Sequence, residues 1–476
     1  MEKQTRFLML VVSIGLSVCM SVASAFISAT DPELSETLEK MKIPLIVVNT
    51  IDGEEPTCDN IDAPPGMSGA GITNATKVPG EMQIILEGDT LYDSGEYVSK
   101  ESGLTIKIRG NTSGRMPKKS YKLKLQKKAD LLFRGDKKYK DKEWVLLRSG
   151  STLVTTIGNW AGELIGQDWT PSCTHVNFMM NGEYRGLYVL CEPVSVNSDC
   201  RISVDKKDGY VVEADAYWWN EDLSFPSTLT SSNLKFTYKY PDPDDITDEW
   251  HKAIAADVVA QEAKITDGTY DEAYDCESFA KWLAAWELLG NSDTSGANMY
   301  IVKKDSESKI CMGPMWDFDH ALKMEDDWIG IHYRSFYFHH MLASSNDAFK
   351  KAFIDVWHKK GHEMAEGLIE RINAFADSQM ASDYQRSLDI EDELQFPVDW
   401  WQPYRGSLEF MRAYSTDYLS RRAEWIDAKL IEEENGVDSI NASFIEDCDY
   451  DVFGCPIDAN VPGIHIRNGK KVYVSK

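Results

Sequence analysis

No two cysteines in this chain are separated by just two residues, and no cysteine–histidine spacing resembles a zinc ligand set, so a structural metal clip is excluded. Excess positive charge is missing too. The 50 Lys and Arg are outnumbered by 77 Asp and Glu, a formal net of -27 that speaks against nucleic acid as a partner. Internal repeats and low-complexity segments are absent. So is the composition of a disordered chain, because 11% aromatic and 43% hydrophobic residues in 476 can bury a large core in two or three folding units.

Beyond residue 25 no segment is apolar enough to span a bilayer, so a transmembrane span in the mature chain is not expected. The first 25 residues hold Lys3 and Arg6, an apolar run from Phe7 to Val22, and Ala23-Ser24-Ala25. That is the pattern of a secretory signal peptide, and it places the mature protein in the secreted, periplasmic or outer-surface class. A membrane anchor is the competing reading, weakened by a short run broken at Ser13, Ser17 and Ser21. Removing Glu2, Lys3 and Arg6 takes the charge from -27 to -28. Cys58, Cys173, Cys191, Cys200, Cys276, Cys311, Cys448 and Cys455 remain, an even set that permits complete pairing in an oxidising compartment. The cheapest local loops join Cys448 to Cys455 and Cys191 to Cys200.

Residues 42–126 read as β-rich. Leu104-Thr-Ile-Lys-Ile-Arg109 and Ser120-Tyr-Lys-Leu-Lys-Leu125 alternate, which predicts a hairpin with a long polar loop. Trp144 to Leu147, His175 to Met180, Tyr184 to Leu190, Gly209 to Glu213 and Leu234 to Tyr240 add strands, with Asn181-Gly182 as a hairpin turn and a helix over 155–167. From Asp248 the pattern turns helical. Phe279, Trp282, Leu283, Trp286 and Leu289 fix a helix over 277–290, with others at 348–376 and 407–434. Sheet first and helices later is an α+β arrangement with a cleft between layers.

The candidate chemistry follows the 277–290 helix. In Gly290-Asn-Ser-Asp293-Thr-Ser-Gly-Ala-Asn298 an Asp and an Asn stand five residues apart before a β-like run, the order in which kinase catalytic loops place a base and a metal-binding amide. Trp316-Asp317-Phe-Asp319 comes one predicted hairpin later, where the kinase metal-binding Asp lies; an Asx-turn or helix cap is the other reading. Asp317 and Asp319 share a side if the segment is extended. Residues 107–142 carry fourteen Lys or Arg against Asp130, Asp136 and Asp141, which reads either as an anion site or as a solvated basic face. Within it, the Arg109, Gly110, Asn111, Thr112 and Gly114 loop is suited to covering phosphates, although it lacks GxGxxG spacing.

Five segments occur in the order seen in one family: Arg109-Gly-Asn-Thr112, Pro117-Lys-Lys-Ser-Tyr-Lys-Leu-Lys-Leu125, Asn181-Gly-Glu-Tyr-Arg-Gly-Leu-Tyr-Val-Leu-Cys-Glu192, Gly290-Asn-Ser-Asp293 and Trp316-Asp-Phe-Asp319. Over roughly residues 42–430 the chain resembles the CotH family of atypical secreted protein kinases. The resemblance implies a kinase-like α+β fold around a nucleotide cleft. It implies transfer of the ATP γ-phosphate, with Mg²⁺ or Mn²⁺, to Ser or Thr hydroxyls of exported or surface proteins. Asp293 then matches the catalytic Asp, Asp317 the metal-binding Asp and Asn298 the metal-binding Asn, with Asp319 beside them. Lys118, Lys119, Lys122 and Lys124 compete for the nucleotide lysine, and Glu163 is its candidate helix partner. Glu192 and Glu213 read as cleft-lining or structural. Gly114 and Arg115 replace the family's residue after the Arg-Gly-Asn segment, and neither HRD nor DFG is present.

The expected division is a signal peptide at 1–25, a β-rich segment at 26–100, a kinase domain at 101–434 with lobes at 101–240 and 241–434, and a β-rich tail at 435–476 resembling sorting signals of exported proteins. A rival function is a catalytically silent surface-adhesion protein on the same fold. A glycosidase is disfavoured, because carboxylates at i and i+2 do not flank a glycosidic bond from opposite sides.

Overall fold

The computed structural model describes residues 28–67, 69–229, 234–291, 298–323, 336–397 and 406–434, with short strands at 449–450, 456–457, 463–467 and 470–474. The signal segment, Asp293, Cys448 and Cys455 lie outside the described residues.

Helix α1 (Pro32–Glu39) starts where Asp31 accepts a hydrogen bond from the Glu33 N–H at 2.9 Å and proline takes the first turn. Strands β1 (Leu45–Thr50), β2 (Asp59–Asp62), β3 (Ala70–Thr73), β4 (Val78–Leu86), β5 (Asp89–Asp93) and β6 (Leu104–Arg109) follow. A single turn, α2 (Thr112–Arg115), leads to β7 (Ser120–Ala129) and β8 (Asp141–Leu147), then helix α3 (Val154–Ile165), β9 (Cys173–Met180) and β10 (Glu183–Cys191). The sheet runs β1-β9-β10-β8-β7-β6-β4, and β4 pairs back onto β1, so these strands close on themselves with β5 outside β4. Closure removes the open edges that a flat sheet would expose.

Alternation explains the filling. Leu104, Ile106 and Ile108 of β6 and Tyr121, Leu123 and Leu125 of β7 point inward with Val48, Met82, Trp144, Phe178 and Leu190. The Asn181-Gly182 turn has φ of 52° and 77°, the left-handed pair that a two-residue hairpin requires. Strands β1 and β4, from before residue 100, pair with β9 and β6, so one sheet crosses that position.

The second half holds β11 (Tyr210–Asp215), β12 (Ser224–Pro226), β13 (Lys235–Tyr240), α4 (Asp248–Thr266), α5 (Cys276–Leu289), β14 (Met299–Lys303) and β15 (Ile310–Met312). Its sheet is ordered β12-β13-β11-β14-β15. Helices α6 (Phe336–Ala343), α7 (Ala348–Val356), α8 (His362–Ala376), α9 (Ala381–Glu393) and α10 (Leu408–Glu434) follow. Helix α5 buries Phe279, Trp282 and Trp286 completely, and the two indoles stack at 4.6 Å. The helix expected over 348–376 forms across that whole range, α7 running into α8 through one π-helical turn at Trp357–Gly361. There Gly361 lies so close to the Trp357 ring that an added Cβ would approach it to 2.6 Å. The described chain is therefore α+β, with a closed sheet in its N-terminal part and helices in its C-terminal part.

Residues 420–476 form a compact unit of their own, comprising the end of α10 and a sheet of β16 (Asp449–Tyr450), β17 (Pro456–Ile457), β18 (Gly463–Arg467) and β19 (Lys470–Val474). Strands β18 and β19 pair antiparallel, with Gly463 opposite Val474 and Arg467 opposite Lys470. Among the described residues no helix is long and apolar enough to cross a membrane.

Candidate active site

A cleft of about 940 Å³ opens between the outer face of the closed sheet and the five-stranded sheet. Helix α5 sets up its acidic wall. Asp275 caps the helix by accepting the Ser278 N–H at 3.0 Å, and Gly290 ends it at φ 55°, packed against the Tyr418 hydroxyl where a Cβ would collide. Asn291 then donates its side-chain amide to the Asp317 carbonyl at 2.8 Å, which ties the end of α5 to the segment after β15. Asn298 enters β14 at φ 67°, and its N–H donates to Glu213 at 3.1 Å.

Asp317 sits at φ 65°, a left-handed conformation uncommon outside glycine, so the segment is not extended as alternation had assumed. Its side chain is nonetheless exposed to the cleft, and Asp319 lines the cleft too, 3.6 Å from the Arg148 guanidinium. Phe318, between them, anchors the turn: it is buried against Trp286 and against α3 at Gly158, where a Cβ would strike the phenyl ring.

Strand β11 adds Glu213 and Asp215, and Glu221 and Asp222 beyond it also line the cleft. Glu213 accepts the Lys239 ammonium at 2.7 Å. A bulge in the β11–β13 ladder sets Tyr238 and Tyr240 opposite Val212 and Val211, leaving Lys239 as the extra residue whose side chain is re-aimed. Asp215 accepts the Tyr217 N–H at 2.7 Å and the Thr237 hydroxyl at 3.1 Å. Burial, reinforced by the Glu213 charge, pushes its carboxyl up to about 7 despite the Tyr217 hydrogen bond and Lys239. Desolvation acts to lower Lys239, but Glu213, Glu221 and Asp215 outweigh it and hold the ammonium above its ordinary value.

The closed sheet supplies a basic wall. Lys107, Arg109 and Lys122 alternate with the inward-facing residues of β6 and β7 and so face the cleft. Arg109 lies 5.6 Å from the centre of the Trp316 ring. Burial and the neighbouring Lys122 and Lys77 push Lys107 down. Asn111 accepts from the Asn220 amide at 3.3 Å, and Thr112 meets the Tyr217 hydroxyl at 2.9 Å, so the loop after β6 reaches the opposite sheet.

Arg109, Asn111, Lys122, Asn298, Asp317 and Asp319 therefore border one cleft, whereas Asp293 lies outside the described residues. Four expectations meet a different environment. Lys118 is buried with Glu391 at 2.5 Å and donates to the Leu187 carbonyl at 2.8 Å. Lys119 donates to the Gly114 carbonyl at 2.7 Å, and Lys124 is an exposed partner of Glu143. Glu163 is corrected as a lysine partner, because its α3 face turns outward and pairs with Arg371 at 2.7 Å. Glu192 is structural, buried between Arg134 and Arg201, while Glu213 lines the cleft. Sequence reasoning missed Lys239, Asp215 and Arg148. Lys239 had a signal, since it alternates with buried Tyr238 in a strand opposite Glu213, but nothing marked the bulge that turns it.

The family model for CotH kinase protein matches residues 106–388, which takes in β7 to β15 and most of α9. No curated protein matches the chain.

Proposed function

The chain belongs to the CotH kinase family, and on that premise we propose that it is a metal-dependent protein kinase that moves the ATP γ-phosphate to Ser or Thr hydroxyls of exported or surface proteins. The observation that carries this reading is one cleft in which Asn298 and the exposed Asp317 stand on a carboxylate-rich wall opposite Arg109 and Lys122.

The donor set suits a hard divalent cation such as Mg²⁺ or Mn²⁺. Asp317 and Asn298 offer a carboxylate and an amide oxygen, and Asp319 lies beside them in contact with Arg148. Among the described residues no three His, Cys, Asp or Glu side chains gather around one point, so phosphate oxygens and water would complete the shell. Held by Asp317 and Asn298, such a cation would supply charge neutralisation for the transferring phosphoryl group. Arg109, Lys122 and Lys239 hold the phosphate chain. Asp293 orients the acceptor hydroxyl and takes its proton as the new O–P bond forms and the bond to the β-phosphate oxygen breaks, releasing ADP. The amino-terminal segment directs export, and the 435–476 tail serves as a sorting element.

A thermal-shift titration with ATP and Mg²⁺ or Mn²⁺, followed by transfer of labelled γ-phosphate to the chain itself or to casein, tests the proposal. Metal-dependent binding with transfer is expected. No binding with either metal would sink it, and binding without transfer would favour the silent adhesion reading.

A further inference from the structure

Cys173 begins β9 and Cys191 ends β10, and the two are direct partners in the antiparallel ladder. The type of pair matters, because side chains approach most closely at non-hydrogen-bonded positions. One step further along, the Glu192 N–H donates to the Ser172 carbonyl at 3.1 Å, which makes that the hydrogen-bonded position. Alternation then makes Cys173 and Cys191 a non-hydrogen-bonded pair, with Cα atoms expected about 4.5 Å apart, inside the range of about 4.4–6.8 Å that a disulfide bridges.

The side chains agree with the backbone. Both cysteines are thiols in the structure, and a single donor, the Asn159 amide nitrogen, lies 3.4 Å from the Cys173 sulfur and 4.0 Å from that of Cys191. The neighbouring Cys191 thiol holds that of Cys173 below its ordinary value, burial pushes Cys191 up, and the Cys191 thiol donates to the Glu192 carbonyl at 3.3 Å. Cys191 is fully buried with Val145, Val189, Tyr300 and Trp316, whereas Cys173, at the strand end, is only partly covered. The ladder pair is an alternative to the local Cys191–Cys200 loop that spacing alone suggests.

We propose that Cys173 and Cys191 form a cross-strand disulfide that ties the ends of β9 and β10 beside Trp316, the residue preceding Asp317. The Cys173 thiolate, its proton passed to water, attacks one sulfur of a small external disulfide, and the first thiolate leaves. The Cys191 thiolate then attacks the Cys173 sulfur and expels the second. Two protein thiols are oxidised by two electrons, the external disulfide is reduced to two thiols, and their protons come from the protein thiols through water. This inference is independent of the kinase reading.

The full chain, reduced and then exposed to hydroxyethyl disulfide, is unfolded in guanidinium with iodoacetamide and digested without reductant. Trypsin cuts after Arg185, and an Asp-specific protease cuts before Asp199, so Cys173, Cys191 and Cys200 fall on separate peptides. A linked Cys173–Cys191 peptide pair, lighter by two hydrogens than its parts, is expected. Alkylation of both cysteines, or a link from Cys191 to Cys200, overturns the proposal. As a second measurement, the oxidised wild type should melt a few degrees above the reduced wild type. Cys191→Ser should lose that dependence on reductant, and retention of the full difference in this variant would also overturn it. If the variant does not fold, the wild-type peptide map decides alone.

Discussion

The two walls of the cleft differ in charge and in how their side chains are aimed. On the closed sheet, strict alternation does the aiming: Ile106 and Ile108 fill the interior, and Lys107 and Arg109 are left facing the cleft as a consequence. On the five-stranded sheet the aiming comes from irregularities, namely the bulge at Lys239 and the left-handed residues Asn298 and Asp317. A regular strand can deliver charge of one sign to a face. Fixing a hydrogen-bonded constellation takes residues whose backbone departs from the strand, and those departures cost free energy that the surrounding packing must offset.

The sharpest break of the acidic wall is Asp317→Ala. It removes the proposed metal ligand without touching the anchor at Phe318, so the fold should persist while phosphotransfer falls roughly a thousandfold. Initial rates of labelled-phosphate transfer and a melting curve check both halves. An equal loss of stability would show Asp317 to be structural.

Lys118→Met tests the opposite side of the comparison, a lysine of the basic segment that leaves the cleft. It would strand the buried carboxylate of Glu391 and cost about 3 kcal/mol of stability. Urea unfolding should show that loss, and the KM for ATP of the remaining folded protein should stay where it was.

Lys239→Met removes the cation of the acidic wall. The KM for ATP should rise roughly tenfold, equivalent to one charged hydrogen bond of about 1.5 kcal/mol. Lys122→Met gives the matching measurement on the other wall. If only the Lys122 variant raised KM, the phosphate contacts would belong to the closed sheet alone.

Asp215 adds a pH signature. Its folded carboxyl is raised from 3.8 to about 7, chiefly by burial, so between those values the folded state holds a proton that the unfolded chain has released. Stability from this group is therefore greatest at low pH and declines as pH rises through that window. Unfolding at about pH 5 and about pH 7.5 should show Asp215→Asn gaining on the wild type as pH rises. A pH-independent difference would mean that Asp215 is not protonated in the folded state.

Much of this contrast was legible in the residues and much was not. The alternations at 104–109 and 120–125, the Asn181-Gly182 turn and the Trp-rich face of α5 each depend on neighbours close in sequence, and each formed as its spacing required. What escaped depends on distant partners. Lys118 and Lys122 are four residues apart in the same basic run, yet Glu391, 273 residues beyond Lys118, captures the first, while Glu143 and the cleft receive the second. Helical periodicity likewise predicts that α3 has a buried face without saying which layer that face meets. Thr155 and Asn159 border the inner end of the cleft, and Glu163 points away.

Glu163 thus supplies the smallest effect and the cleanest control. Its side chain is 64% exposed and its partner Arg371 is 33% exposed, so screening by water leaves the pair worth about 0.5 kcal/mol or less. Glu163→Gln should move neither the KM for ATP nor the transfer rate beyond measurement error, with at most a slight shift in melting temperature. A helix glutamate that positioned a nucleotide lysine would behave otherwise, because its loss would release that lysine and raise KM. Measured beside Glu213→Gln, the two variants ask which carboxylate holds the lysine. Glu213 stands 2.7 Å from Lys239, so the proposed function expects the KM increase from Glu213→Gln, and an increase confined to Glu163→Gln would overturn that expectation.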